Sequence, residues 1–209
     1  MQATDVPVWV PDYPLLPGAT VEEMTLMIVD IYNAMRNTYP NADIVFLGDS
    51  AGADLALTVC HYNKTLENTV PARSFVMPKA LILLSPAMVT ENDPAIIAAM
   101  EEIAPYDKME SMQLLHSMPE LFNMDYSKDN FYNAPLYGDF TNFPPVYVFS
   151  GTHDIFYPQI PPFVERLKSA GVSTEFIQGQ DMMHIWPYMP ASPESKKALQ
   201  YIIRIIDDI

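Results

Sequence analysis

The sequence predicts an α/β protein in which a mostly parallel β-sheet carries helices on both faces. Short apolar runs typical of buried strands alternate with longer segments whose apolar residues recur every three or four positions. Strands separated by helices imply right-handed crossovers, and therefore parallel neighbours. The chain has 209 residues, of which 49% are hydrophobic and 18% charged. Because that suffices to bury one core, we expect residues 1–209 to form a single domain.

Five segments are predicted to be strands because each is short, apolar and bounded by Pro, Gly or polar residues. They cover residues 6–10, 43–47, 79–84, 146–149 and 173–177. Pro7 has no backbone N–H, so pairing in the first of them should begin at about Val8.

The first predicted helix begins at Thr20. Glu23 follows three residues later, the spacing at which the two residues cap each other's backbone N–H groups. One apolar stripe should face the sheet, and it consists of Val21, Met24, Ile28, Ile31 and Met35. Pro40 should end the helix.

Three further helices are predicted over residues 51–62, 162–170 and 193–206. Gly171 is the expected stop of the second, and Ser192 is the expected N-cap of the third. Residues from about 90 to 130 break the alternation, because they are helical in composition and rich in Met. This segment is predicted to be a helical, cap-like insert.

The composition disfavours several classes of function. Eleven Lys and Arg against 26 Asp and Glu give a formal net charge of −15, which repels nucleic acid. One Cys excludes an internal disulfide, and the four His show no metal-ligand spacing, so neither metal nor cofactor is predicted. No leader and no apolar run near the ~18 residues of a membrane span are visible. We therefore expect a cytoplasmic protein. The sequence does not determine its oligomeric state, and a dimer is one of the alternatives.

Residues 48–52, Gly-Asp-Ser-Ala-Gly, lie between a predicted strand and a predicted helix. That context is typical of a nucleophile elbow, in which a strained turn lifts a serine above the sheet and small neighbours let the backbone come close. The following helix directs its N-terminal N–H groups at developing negative charge. Ser50 is therefore a candidate nucleophile.

A serine nucleophile needs a base, and the base needs an orienting acid. Asp154 follows the predicted strand 146–149, and His184 follows the predicted strand 173–177. Ser50, Asp154 and His184 thus occur in the order that an elbow predicts, each just past a strand. Such a triad cleaves esters and amides alike, so peptidase or amidase activity remains an alternative function.

The other candidates are predicted to take no part in the triad: most have structural roles, His153 lines the rim, and a substrate contact stays open for His116 of the insert. They are His61, His116, His153, Asp49, Asp181 and Cys60. Acidic residues of the insert, among them Asp107 and Glu110, are interpreted mainly as a solvated face; repulsion of anionic substrates is the alternative.

Three segments resemble the hormone-sensitive-lipase-like branch of the α/β-hydrolases. Residues 11–17, Pro-Asp-Tyr-Pro-Leu-Leu-Pro, are similar to the family's Asp-Tyr-Arg-Leu-Ala-Pro segment, and residues 48–52 match its preferred elbow. Residues 134–145 are similar to the run before its acid-bearing strand. The resemblance implies a carboxylic-ester hydrolase acting on small-molecule esters, with an α/β-hydrolase fold.

The same resemblance implies individual roles. Ser50 corresponds to the nucleophile, Asp154 to the acid and His184 to the base. The Ala51 N–H corresponds to one oxyanion donor, and the insert to a cap over the acyl pocket.

The chain departs from the family in two places. Ala53-Asp54 stands where Gly-Asn or Gly-Gly is usual, which we expect to be a mild change. The family's His-Gly-Gly, which supplies further oxyanion donors, is absent, and no two of the seven glycines are adjacent. The resemblance implies that about three N-terminal strands and a helix are missing, one of them between the strands at 6–10 and 43–47. The expectation is a fragment of a longer hydrolase; a catalytically impaired hydrolase-like protein is the alternative.

Overall fold

Four parallel strands form the sheet in the computed structural model, which describes residues 6–87, 93–122, 127, 130–189 and 192–209. The strands are β1 (Val45–Asp49), β2 (Ala80–Leu84), β3 (Val146–Gly151) and β4 (Thr174–Gly179). They lie in the order β1-β2-β3-β4, and each neighbouring pair is parallel. The predicted α/β class with a parallel sheet is confirmed.

Six helices surround the sheet in the described residues. They are α1 (Val21–Thr38), α2 (Ala51–Thr69), α3 (Pro94–Ile103), α4 (Met112–Phe122), α5 (Ile160–Ser169) and α6 (Pro193–Asp207). The predicted caps are confirmed: Thr20 and Glu23 form a capping box, and the Ser192 side chain accepts from the Ser195 N–H. Gly171 follows α5 with φ +82°, a conformation that suits a glycine.

The core lies on both faces of the sheet because neighbouring residues of β2 point to opposite sides. Leu81 and Leu83 pack into one apolar cluster with residues of α2 and α5, including Leu57 and Phe163. On the other face, Ile82 and Leu84 pack with residues of β3 and α6. Helices therefore cover both faces, as predicted.

The predicted strand at residues 6–10 is wrong. This segment is irregular, and Val8 and Val10 are 76% and 83% exposed. A strand needs a neighbour to satisfy its backbone groups, and in the described sheet the outermost strand next to this segment, β1, pairs with β2 alone.

A cavity of about 470 Å³ lies between β1, α1 and the segment around residues 9–15. Met24 of the predicted apolar stripe is buried, whereas Ile28, Ile31 and Met35 line this cavity.

The predicted insert at about 90–130 contains α3 and α4; residues 88–92, 123–126 and 128–129 lie outside the described residues. Met100 and Leu115 pack against Ile155 and Phe156, which follow Asp154 in the chain. The insert therefore rests on the loop that carries the predicted acid. None of the described helices is long and apolar enough to cross a bilayer.

Candidate active site

Ser50 occupies a sharp turn between the end of β1 and the start of α2. Its φ of 51° and ψ of −125° lie outside the usual regions for a residue with a side chain, as a nucleophile elbow requires. Its backbone N–H donates to the Leu84 carbonyl at 2.9 Å. A Cβ at Gly48 would overlap the backbone carbonyl of Gly52, whereas a Cβ at Gly52 would meet nothing within 4 Å. Of the two glycines that flank the elbow, only Gly48 is therefore required for steric reasons.

The structure brings the three predicted side chains together in one hydrogen-bonded chain. His184 Nε2 lies 2.9 Å from Ser50 Oγ, and His184 Nδ1 lies 3.1 Å from Asp154 Oδ2. Because a carboxylate can only accept, Nδ1 carries the proton in the neutral ring and Nε2 is free to accept from the serine hydroxyl. Asp154 is 0% exposed and His184 is 1% exposed, so the pair works away from bulk water.

The parallel sheet explains why these residues meet. Ser50, Asp154 and His184 follow β1, β3 and β4, and the carboxyl ends of parallel strands lie at one edge of the sheet. Sequence reasoning missed Ser85, which follows β2 with φ 48° and accepts from the Ile185 N–H at 2.8 Å. Its position directly after an apolar strand was the available signal.

Asp107 joins the insert to the loop of the acid. Its Oδ1 accepts from the N–H groups of Met109 and Glu110, at 2.9 and 3.2 Å, and its Oδ2 accepts from the Ile155 N–H at 3.0 Å. With 5% exposure, the residue does not belong to a solvated face. The interpretation of the acidic insert is therefore wrong at Asp107.

Glu110 also departs from that interpretation. Its Oε1 lies 3.8 Å from His184 Nε2, on the same side of the ring as Ser50. The neighbouring Glu101 and Glu102 are exposed, as expected for a solvated face. No local pattern distinguishes Glu110 from them, because its contact with residue 184 joins distant parts of the chain.

The carboxylates around His184 set its basicity. Burial lowers the pKa of His184, but the hydrogen bond and charge of Asp154, followed by the charges of Glu110 and Asp107, raise it above its usual value. The pKa of Glu110 is itself raised by burial; the charge of His184 opposes this, and those of Asp107 and Asp154 add to it. The surrounding carboxylates thus stabilise the imidazolium, the form that a general base reaches when it takes up a proton.

Asp54 is a buried carboxyl in an unfavourable environment, whereas the sequence predicted only a mild effect of this departure from the family. Its Oδ1 is buried and has no hydrogen-bond partner among the described residues. Burial raises the pKa of this carboxyl to about 8, although the charge of His184 acts in the opposite direction. Asp54 is therefore largely protonated near neutral pH, and the departure from the family at this position carries an energetic cost.

The other histidines lie outside the hydrogen-bonded chain of Ser50, His184 and Asp154. His61 is buried and its Nε2–H donates to the Pro135 carbonyl at 2.9 Å, while burial lowers its pKa to about 4. His153 lies 3.5 Å from Asp181 and stacks on Tyr106. His116 is exposed.

The remaining candidates also stay outside the hydrogen-bonded chain. Cys60 is buried, and burial raises the pKa of its thiol. Asp49 and Tyr13 line the same cavity beside β1, and burial followed by the Asp49 charge raises the pKa of Tyr13. Within the described ranges, no three His, Cys, Asp or Glu side chains are grouped so as to hold a metal ion. Ala51, the expected oxyanion donor, is the first residue of α2, so its N–H belongs to the amino end of that helix.

Two proteins named as hydrolases are similar to this chain in sequence. The chain is 28% identical over 192 residues to an esterase of Acinetobacter venetianus, covering 90% of this chain and 60% of the relative. It is 24% identical over 164 residues to an acetyl-hydrolase of Streptomyces hygroscopicus, covering 77% of this chain and 51% of that protein. The chain thus spans little more than half the length of these relatives.

Two solved structures, of a hormone-sensitive lipase and of a homologue, have a similar fold. A hormone-sensitive lipase from a metagenome library superposes with a TM-score of 0.78 at 25% identity, over 94% of this chain and 65% of its own. A second hormone-sensitive lipase homologue from a metagenome library, at 24% identity, has a TM-score of 0.80 and supports the fold. The family model described as alpha/beta hydrolase fold matches residues 1–188. The predicted resemblance is confirmed: similar proteins include an esterase, an acetyl-hydrolase and a hormone-sensitive lipase, and the chain belongs to the alpha/beta hydrolase fold family.

Proposed function

We propose that this chain carries the catalytic centre of a serine carboxylic-ester hydrolase, with Ser50 as nucleophile, His184 as base and Asp154 as orienting acid. The observation that carries the proposal is the continuous chain of two hydrogen bonds, 2.9 Å from Ser50 to His184 and 3.1 Å from His184 to Asp154. The strained elbow at Ser50 supports it independently.

The geometry supports a two-step reaction. Ser50 Oγ attacks the ester carbonyl carbon while its proton passes to His184 Nε2, and the tetrahedral intermediate collapses as the alcohol leaves with that proton. Water then attacks the acyl-enzyme, giving a proton to Nε2, and the acid leaves as Ser50 recovers the proton. Asp154 keeps Nδ1–H oriented and stabilises the imidazolium in both steps.

The Ala51 N–H is the donor that this chain offers to the oxyanion. Removing one such donor typically costs ~100- to 1,000-fold in rate, so the absence of a His-Gly-Gly sequence matters for activity. The second candidate function, a catalytically impaired hydrolase-like protein, rests on this observation. It predicts a folded chain in which Ser50 is intact but turns over slowly or not at all.

The substrate class and the organisation of the chain are parts of the same proposal. Relatives named esterase, acetyl-hydrolase and triacylglycerol lipase favour small-molecule esters over amides. We propose that residues 1–209 form one domain and that the insert at about 90–130 is a cap, since Met100 packs beside the residues after Asp154. A cytoplasmic location and the oligomeric state stay predictions.

Labelling with a fluorophosphonate and hydrolysis of p-nitrophenyl acetate test the proposal. Both should be lost in Ser50→Ala and kept in Ser173→Ala, which removes a hydroxyl from an exposed position just before β4. Labelling without turnover would favour the impaired protein. Folded wild-type chain that neither labels nor hydrolyses the ester would contradict the proposal.

A further inference from the structure

We propose that Glu110 sets the charge preference of the reaction: its carboxylate favours esters whose alcohol part is cationic or neutral over esters whose alcohol part is anionic. This inference rests on the proposed esterase function and specifies the substrates of the same site.

Glu110 lies beside the atom that hands a proton to the leaving alcohol. Its Oε1 is 3.8 Å from His184 Nε2, and the same nitrogen is 2.9 Å from Ser50 Oγ. To be protonated, the alcohol oxygen must come within about 3 Å of Nε2. Substituents on that alcohol therefore pass within a few ångströms of the Glu110 carboxylate.

The backbone of Glu110 is held in place, and the charge of its side chain is poorly compensated. The Asp107 carboxylate binds the Glu110 N–H at 3.2 Å and the Ile155 N–H at 3.0 Å, which ties this part of the insert to the loop after Asp154. Among the ion pairs of the described residues, Glu110 pairs with His184 and with no Lys or Arg. A half-buried charge of this kind is screened less by salt than an exposed one.

Glu110 also acts on His184. The charges that influence this imidazole are those of Asp154, from the loop after β3, and of Asp107 and Glu110, from the insert. Asp54 of α2 also interacts with His184, but it is largely protonated near neutral pH. An ionised Glu110 favours the protonated ring, so its removal should lower the pKa of His184. The acidic limb of the kcat/KM profile, where His184 must lose its proton, should then move to lower pH.

Three butyrate esters with matched aryl alcohols test the charge preference. They carry a trimethylammonium, a tert-butyl or a carboxylate group at the meta position, and each is compared between wild type and Glu110→Gln so that intrinsic reactivity cancels. We expect Glu110→Gln to lower kcat/KM for the cationic ester ~10-fold and to raise it for the anionic ester ~10-fold, relative to the neutral one. Glu102→Gln, which removes the same charge from an exposed position, should leave the ratios unchanged.

The outcomes separate this inference from the proposed function. If Ser50 reacts with a fluorophosphonate but Glu110→Gln leaves the three ester ratios unchanged, the inference is wrong and the esterase proposal stands, whether or not the acidic limb moves. If Glu110→Asp restores the wild-type ratios, the carboxylate itself is responsible, which supports the inference. Folded protein that neither labels nor hydrolyses any of the esters would refute the esterase proposal and this inference with it.

Discussion

Replacing Asp54 by Asn should make the protein more stable, and increasingly so as the pH rises. Asp54 has a pKa of about 8 in the folded chain, against an ordinary value of 3.8. Between these values the folded state holds a proton that the unfolded state has lost, so the free energy of unfolding falls as pH rises through this window. Above about pH 8 the full cost of the buried charge is present. Asn has the same shape and does not titrate.

The size of the effect follows from that difference. At about 1.4 kcal/mol per pH unit, the interval from 3.8 to about 8 gives about 6 kcal/mol as an upper limit. Water entering beside a buried charge relieves part of this cost, so we expect a gain of at least about 2 kcal/mol for Asp54→Asn at pH 9 over pH 5. The measurement is urea unfolding at several pH values, followed by the fluorescence of the buried Trp186.

Asp30→Asn is the matched control, because it removes the same charge from an exposed position of α1. Its stability relative to wild type should vary by less than about 0.5 kcal/mol over this range. The reasoning fails if the stability difference between Asp54→Asn and wild type is flat from pH 5 to pH 9, since Asp54 would then be ionised throughout.

Two further predictions concern the supports of the site. Gly48→Ala should destabilise the chain by about 3 kcal/mol or more because its Cβ would overlap the Gly52 backbone, whereas Gly52→Ala should be neutral or stabilising by up to about 1 kcal/mol. Equal losses for the two variants in urea unfolding would contradict this. Asp107→Asn should cost about 1–3 kcal/mol and speed hydrogen exchange of the Ile155 amide, because an amide group cannot accept from all three N–H groups. An unchanged exchange rate of the Ile155 amide would show that its hydrogen bond to Asp107 does not stabilise this loop.

The catalytic candidates were predictable because their signals are local. Ser50 follows a strand within a five-residue motif, and Asp154 and His184 each follow an apolar run. Parallel topology then converts three separate positions after strands into one edge of the sheet. The sequence could therefore indicate which residues meet without any knowledge of their distances.

The failures concern properties that depend on distant partners. Val8 and Val10 have good strand propensity, yet they are exposed because strand formation requires a neighbour that this segment does not find. The strand predicted at 43–47 is found at Val45–Asp49, since its bounds follow its pairing with β2. The contact of Glu110 with His184 was not predicted, because no local spacing links Glu110 to a residue 74 positions later in the sequence.

Each residue of the proposed triad is anchored by a backbone N–H at its own position or the next. Ser50 N–H donates to the Leu84 carbonyl; Ile155 N–H, after Asp154, donates to Asp107; and Ile185 N–H, after His184, donates to Ser85. Two of these acceptors belong to β2 and the residue after it, which join the nucleophile and the base to the centre of the sheet.

The third anchor differs, because Asp107 belongs to the insert and not to the sheet. The loop of Asp154 is therefore held by the segment that we propose as a cap, because the Ile155 N–H donates to Asp107 of that segment. A change that loosens residues 93–110 should disturb the alignment of Asp154 as well as access to Ser50. The Glu110 N–H donates to the same Asp107 carboxylate. Asp107 therefore supports both the loop of Asp154 and Glu110, the residue whose charge we propose acts on the leaving alcohol.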